Sequence, residues 1–159
     1  MVTTGDDKKI TTWSLYPNFQ MIDQWVHPLI QKPIQFVSFH PTISDWLLTL
    51  DAEKTLTWWS LSQKEPLQMW RKCHSHVVHH VSFVPVTDSR AGSASSGSVV
   101  GAGAGGHRAV TCSADHSIKI WRLDEAKTHF ASLHANAPFT AITFIGGEES
   151  STTASETMI

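Results

Sequence analysis

Cysteine is scarce in this 159-residue chain, with Cys73 and Cys112 the only two. Two cysteines make no disulfide framework, and a reducing setting, cytoplasmic or nuclear, is expected. Charge of one sign is lacking too: 12 Lys and Arg stand against 14 Asp and Glu, a formal net charge of −2. That balance gives no electrostatic ground for direct nucleic-acid binding or for adhesion to an anionic membrane. No run approaches the roughly 18 apolar residues that a membrane span needs. Met1 to Lys9 is polar, without the apolar core of a signal peptide. Helical periodicity is missing as well, since no segment of about twelve residues repeats its apolar positions every three to four.

What the chain does have is tryptophan, seven in all, within a composition 41% hydrophobic and 16% charged that suits a folded domain. Most lie among Thr, Val, Ile and Leu in short runs, which is strand composition. Three of them mark an internal repeat. MVTTGDDKKITTWSL (1–15), LLTLDAEKTLTWWSL (47–61) and AVTCSADHSIKIWRL (109–123) align without gaps. Trp13, Trp59 and Trp121 coincide, as do Thr3, Thr49 and Thr111, and an acidic residue (Asp7, Glu53, Asp115) always stands six before the tryptophan. An alternating apolar stretch precedes the later copies: IQFVSFHP (34–41), VVHHVSFVP (77–85) and, alone near the end, FTAITF (139–144). Trp13 to Trp59 is 46 residues. Trp59 to Trp121 is 62, lengthened by a Gly/Ser/Ala-rich insertion. Without it the period falls near the 40–45 residues of a four-stranded propeller unit.

The expectation is an all-β fold of about eleven short strands. Its units span about 1–26, 34–71 and 77–133, a fourth starts at 139–144, and tight turns fall at Asp6-Asp7, Ala52-Glu53 and Ala114-Asp115. Residues 87–107 are expected to form a flexible loop, and the Ser/Thr/Glu-rich stretch 145–159 a disordered tail. The GxGxGG run at Gly101 to Gly106 lacks the flanking strand, helix and lysine of a phosphate loop.

These residues resemble the WD-repeat β-propeller family. The third unit carries the resemblance best, with His74, then Val78, Val81 and Phe83, then Ser113-Ala114-Asp115, then Ile118-Lys119-Ile120-Trp121. The resemblance implies a partial β-propeller of four-stranded antiparallel blades and a structural, non-catalytic tetrad of His74, Ser113, Asp115 and Trp121. It implies no cofactor, and a scaffold role toward other proteins in a multiprotein complex, with the partner-binding residues unknown. In the other units the repeat core would be Trp13 with Asp7 and Trp59 with Glu53. The second unit has Ile30 where the third has His74, and no copy has Asp after the aligned Trp. Fewer than three complete blades do not close a ring. Further blades are therefore expected from a longer chain or a second chain, and the polypeptide alone is expected to be poorly stable.

The competing reading is zinc. Cys73, His74, His76, His79 and His80 fall within eight residues, and thiolate with imidazole suits that ion. Tetrahedral sites, however, join two ligand clusters across a loop, and a second cluster is missing. On a strand His79 would also point away from His74, His76 and His80. The sequence offers no nucleophile elbow, so no enzyme activity is expected. Cys112 reads as a buried strand residue, Trp58 as facing opposite to Trp59, and an exposed Trp25, Trp46 or Trp70 would suit a partner anchor.

Overall fold

A computed structural model of the chain describes residues 1–85, 107–124, 129 and 131–144. The expected tail at 145–159 lies outside these residues, as does the expected loop at 87–107 except for His107. Among the described residues all regular structure is β. The strands are β1 (Val2–Thr4), β2 (Ile10–Ser14), β3 (Gln20–Trp25), β4 (Ile34–Phe39), β5 (Trp46–Asp51), β6 (Leu56–Ser60), β7 (Glu65–Trp70), β8 (Val78–Phe83), β9 (Arg108–Ser113), β10 (Ser117–Arg122) and β11 (Ala131–His134). They form three antiparallel sheets in plain sequential order: β1-β2-β3, β4-β5-β6-β7 and β8-β9-β10-β11.

Turn chemistry explains why the aligned segments fold alike. Each crosses a hairpin turn at Asp6-Asp7, Ala52-Glu53 or Ala114-Asp115. The next residue takes a left-handed backbone, with φ of 61° at Lys8, 65° at Lys54 and 65° at His116. The Lys8 and Lys54 N–H groups close their turns on the carbonyls of Gly5 and Asp51. A turn followed by one left-handed residue is a favoured hairpin closure, because its twist matches that of the flanking strands. The irregularities repeat as well. The register shifts between Thr12 and Trp13 and between Trp58 and Trp59, and again between Ile34 and Phe36 and between Val78 and His80. Bulges re-aim side chains, and here they fall at matching places in different sheets. Pro66 sits in β7, an edge strand, the position in a sheet where a missing N–H is tolerated.

The sheets pack face to face in chain order. One face of the middle sheet (Ile34, Leu47, Trp59) joins Ile10 and Trp25 of the first sheet in a single apolar cluster. Its other face (Leu48, Leu50, Leu56, Trp70) joins Val78, Val81, Phe83, Ala109 and Trp121 of the third. This double burial explains why leucines on both faces of β5, Leu47 on one and Leu48 and Leu50 on the other, are fully buried. The leading strands lie side by side, β1 against β4 and β4 against β8.

One expected element is absent. Phe139–Phe144, read as the first strand of a fourth unit, forms no strand. An apolar alternating segment becomes a strand only against a hydrogen-bonding neighbour, and none of the described strands pairs with it.

Candidate functional site

Each aligned tryptophan donates its indole N–H to the aligned threonine on the neighbouring strand. The distances are 2.8 Å for Trp13 to Thr3, 2.8 Å for Trp59 to Thr49 and 2.9 Å for Trp121 to Thr111. Two of the three also pack edge-on or tilted against a tryptophan ending the last strand of the preceding sheet. Trp25 meets Trp59 at 5.5 Å between ring centroids, and Trp70 meets Trp121 at 5.7 Å. Trp13 has no described sheet on that side; it stacks on the exposed Phe19 instead and remains half-buried. Trp25 and Trp70, considered above as exposed anchors, are thus buried intersheet contacts.

In the third sheet the pair extends into a buried relay. Trp121 Nε1–H donates to Thr111 Oγ1, and Thr111 donates in turn to His74 Nε2 (2.7 Å). His74 Nδ1–H then donates to Asp115 Oδ2 (2.9 Å). The carboxylate is filled from other directions by the Ser75 N–H (3.0 Å), the Ser117 N–H (3.1 Å) and the Ser117 hydroxyl. Every donor meets one acceptor, the condition for holding a carboxylate and an imidazole inside a sheet stack. His74, Asp115 and Trp121 are brought together as expected. The hydroxyl between imidazole and indole is Thr111, however, and not Ser113. Ser113 ties down the turn instead, donating to the Val77 carbonyl (2.8 Å) and accepting from the Asp115 N–H (3.1 Å). The register decides this: Trp121 pairs with Ala109, so Thr111 is its diagonal neighbour and Ser113 lies one step too far.

The relay has the connectivity of a nucleophile–base–acid triad, yet Thr111 is fully buried and its oxygen is occupied by the indole. A nucleophile must reach substrate, and this one does not.

Asp7 and Glu53 do not belong to a core. Both are exposed, Asp7 beside Lys9 (3.9 Å) and Glu53 beside Lys32 (3.3 Å). For Glu53 the reason is a missing histidine. Ile30, aligned with His74, is packed into the apolar cluster with Trp59, so an inward carboxylate in that unit would be buried without a donor. Asp51, aligned with Ser113, secures that turn by accepting from the N–H groups of Glu53 (2.9 Å) and Thr55 (2.8 Å).

The clustered Cys and His residues do not converge. Cys73 is buried, with its thiol pushed up to about 12 by burial. His74 belongs to the relay. His79 is the bulged residue of β8, while the His76 and His80 rings meet the Ser75 and Ser82 hydroxyls. Among the described residues no three His, Cys, Asp or Glu side chains are grouped as metal ligands. The zinc reading is set aside on that divergence. Cys112 is fully buried in β9.

Sequence reading missed a second imidazole site, between the middle and third sheets. His40 Nδ1 accepts from the Ile43 N–H (3.0 Å), and His40 Nε2–H donates to His107 Nδ1 (3.1 Å). Trp46, Phe83 and His107 surround the ring edge-on. Nothing local signals it, because His107 follows the long insertion. Burial, and then the neighbouring His107, hold His40 below its usual range. Burial also lowers His74, against the raising effect of Asp115. Burial raises Asp115, but bonds from Ser117, Ser75 and His74 outweigh it and keep the carboxyl far below the usual range.

A pH dependence follows. Both folded histidines protonate below the ordinary value of 6.5, so in mild acid the unfolded chain binds more protons than the folded one. Stability should be complete above about pH 6.5 and fall as pH drops through the depressed folded values. Asp115 stays ionised across that window. Thermal melts between pH 7 and 5 should show a falling Tm; a flat or rising Tm contradicts the neutral assignment of both rings.

Beside the relay, a broad cleft of about 990 Å³ opens between the middle and third sheets. Its walls are the β5–β6 turn, the segment after β7, the start of β10 and the end of β11. No protein-family model and no curated protein matches the chain.

Proposed function

We propose that this chain is part of a WD-repeat β-propeller and serves as a non-catalytic platform for other proteins in a multiprotein complex of the cytoplasm or nucleus. One observation carries the reading: the same Trp–Thr hydrogen bond recurs in three successive antiparallel sheets. The packing supports it, since the middle and third sheets each lay their aligned tryptophan toward the sheet before. In this reading every sheet is a blade, and a further blade covers Trp13 as the first sheet covers Trp59. The His74 relay is the family's structural tetrad with Thr111 as its hydroxyl, and it rigidifies the third blade. A stiff stack of sheets presenting turns along one rim suits recognition better than chemistry.

The test is native isolation of the tagged chain followed by sedimentation and cross-linking. The platform reading expects an assembly well above the 17.6 kDa of the chain, containing other proteins in fixed proportion. Sedimentation at the chain's own mass without cross-linked proteins contradicts it.

A further inference from the structure

The cleft between the middle and third sheets gathers positive charge on a chain whose net charge is −2. Four cations line it: Lys54, Arg71, Lys72 and Lys119. Two are anchored by backbone carbonyls of the segment that also carries His74. Lys119 Nζ donates to the Cys73 carbonyl (2.6 Å) and Lys54 Nζ to the Ser75 carbonyl (2.9 Å). A carbonyl orients an ammonium without neutralising it, so both charges are placed and left uncompensated. Arg71 and Lys72 are exposed and form no ion pair among the described residues. The two carboxylates on the wall are committed elsewhere, Asp115 to the relay and Glu53 to Lys32.

We propose that this cleft binds an acidic segment of a partner protein. The inference rests on the platform reading for the class of ligand, a protein; the cations give that ligand its sign. The two oriented ammoniums suit carboxylates along an extended chain, and Arg71 offers a planar fork for a bidentate contact. The volume stands at the upper end of the roughly 300–1,000 Å³ found for ligand pockets, and the cleft is open enough for a chain to cross it. A nucleic acid is the weaker occupant, because the chain as a whole repels a polyanion longer than the cleft.

The probe is a fluorescein-labelled peptide of about ten residues, alternating Glu and Ser, followed by anisotropy at low and at physiological salt. Saturable binding that weakens with salt is expected, together with a loss of at least about tenfold in Arg71→Glu/Lys72→Glu. Lys8→Glu/Lys9→Glu, with the same change in charge on the β1–β2 turn outside the lining of the cleft, should bind as the unaltered protein does. Both pairs lie at the surface, and matching melting curves establish that folding is intact. Absence of saturable binding overturns the proposal, as does equal binding by the two double variants. Tighter binding of a single-stranded oligonucleotide of equal charge overturns the peptide assignment. Failure of the platform reading is separately visible: native isolation would then recover no partner, whatever the anisotropy shows. If instead a complex forms undiminished with Arg71→Glu/Lys72→Glu, the platform stands and the cleft assignment falls.

Discussion

Asp115→Ala is expected to lower stability by about 3 kcal/mol, the upper end of the roughly 1–3 kcal/mol for leaving buried donors without their acceptor, because several donors lose it together. The substitution strips the acceptor from the Ser75 N–H and both donors of Ser117 at once, and leaves His74 Nδ1–H only the Ser117 hydroxyl oxygen at 3.2 Å. The side chain is 9% exposed, so water reaches part of the site and keeps the loss from exceeding that range. Glu53 occupies the same aligned position one sheet earlier and supplies the contrast. Its side chain is 60% exposed and meets only a surface lysine. Glu53→Ala should therefore change stability by no more than about 0.5 kcal/mol. Urea unfolding of the two variants measures both. Equal losses would mean that the carboxylate at position 115 is not held by the relay.

Trp59→Ala should cost about 3–5 kcal/mol, the range for deleting a large aromatic from a packed core. Trp59 is 1% exposed, touches Trp25 and His27 edge-on and is bonded to Thr49. Its removal opens a cavity between the first and middle sheets and orphans the Thr49 hydroxyl. In the chain by itself, with no further blade on its open side, Trp13→Ala at the aligned but half-buried position should cost only about 1 kcal/mol, because less apolar area is withdrawn from water there. For a chain near the lower end of the roughly 5–15 kcal/mol of ordinary domains, as expected for this polypeptide alone, Trp59→Ala removes most of the margin and brings unfolding close to physiological temperature. Trp13→Ala should keep a cooperative transition, read as the loss of near-ultraviolet signal on heating. A large effect at Trp13 would require a neighbouring sheet on its open side.

Much of the fold was legible because its repeats are chemically literal. The fifteen-residue alignment marked the three turns, and the turns fixed the hairpins on either side of them. Trp25 and Trp70 were missed although they stand 45 residues apart, close to the repeat period. The relay hydroxyl was legible too, since Thr3, Thr49 and Thr111 align as well as the tryptophans do. Choosing Ser113 instead was a register error: Thr111 and Ser113 share one face of β9, and only the ladder shows which of them lies diagonal to Trp121. Asp7 and Glu53 aligned with Asp115 but could not share its burial, because a carboxylate turns inward only where a buried donor waits. Phe139–Phe144 had the right pattern and no partner strand, and a pattern alone does not make a ladder. The cleft and the His40–His107 contact were illegible, because each joins residues of different sheets far apart in sequence.

The claim that everything else needs is the equivalence of the three indole–hydroxyl pairs. Hydrogen exchange of the indole N–H groups, followed by NMR on ¹⁵N-tryptophan-labelled protein with Thr3→Val, Thr49→Val and Thr111→Val in turn, tests it most directly. Slow exchange is predicted for Trp59 and Trp121 and faster, still retarded exchange for Trp13, each valine releasing its own tryptophan and leaving the other two protected. Unprotected indoles in the unaltered protein, or a valine that releases the wrong tryptophan, would contradict the repeat and the platform built on it.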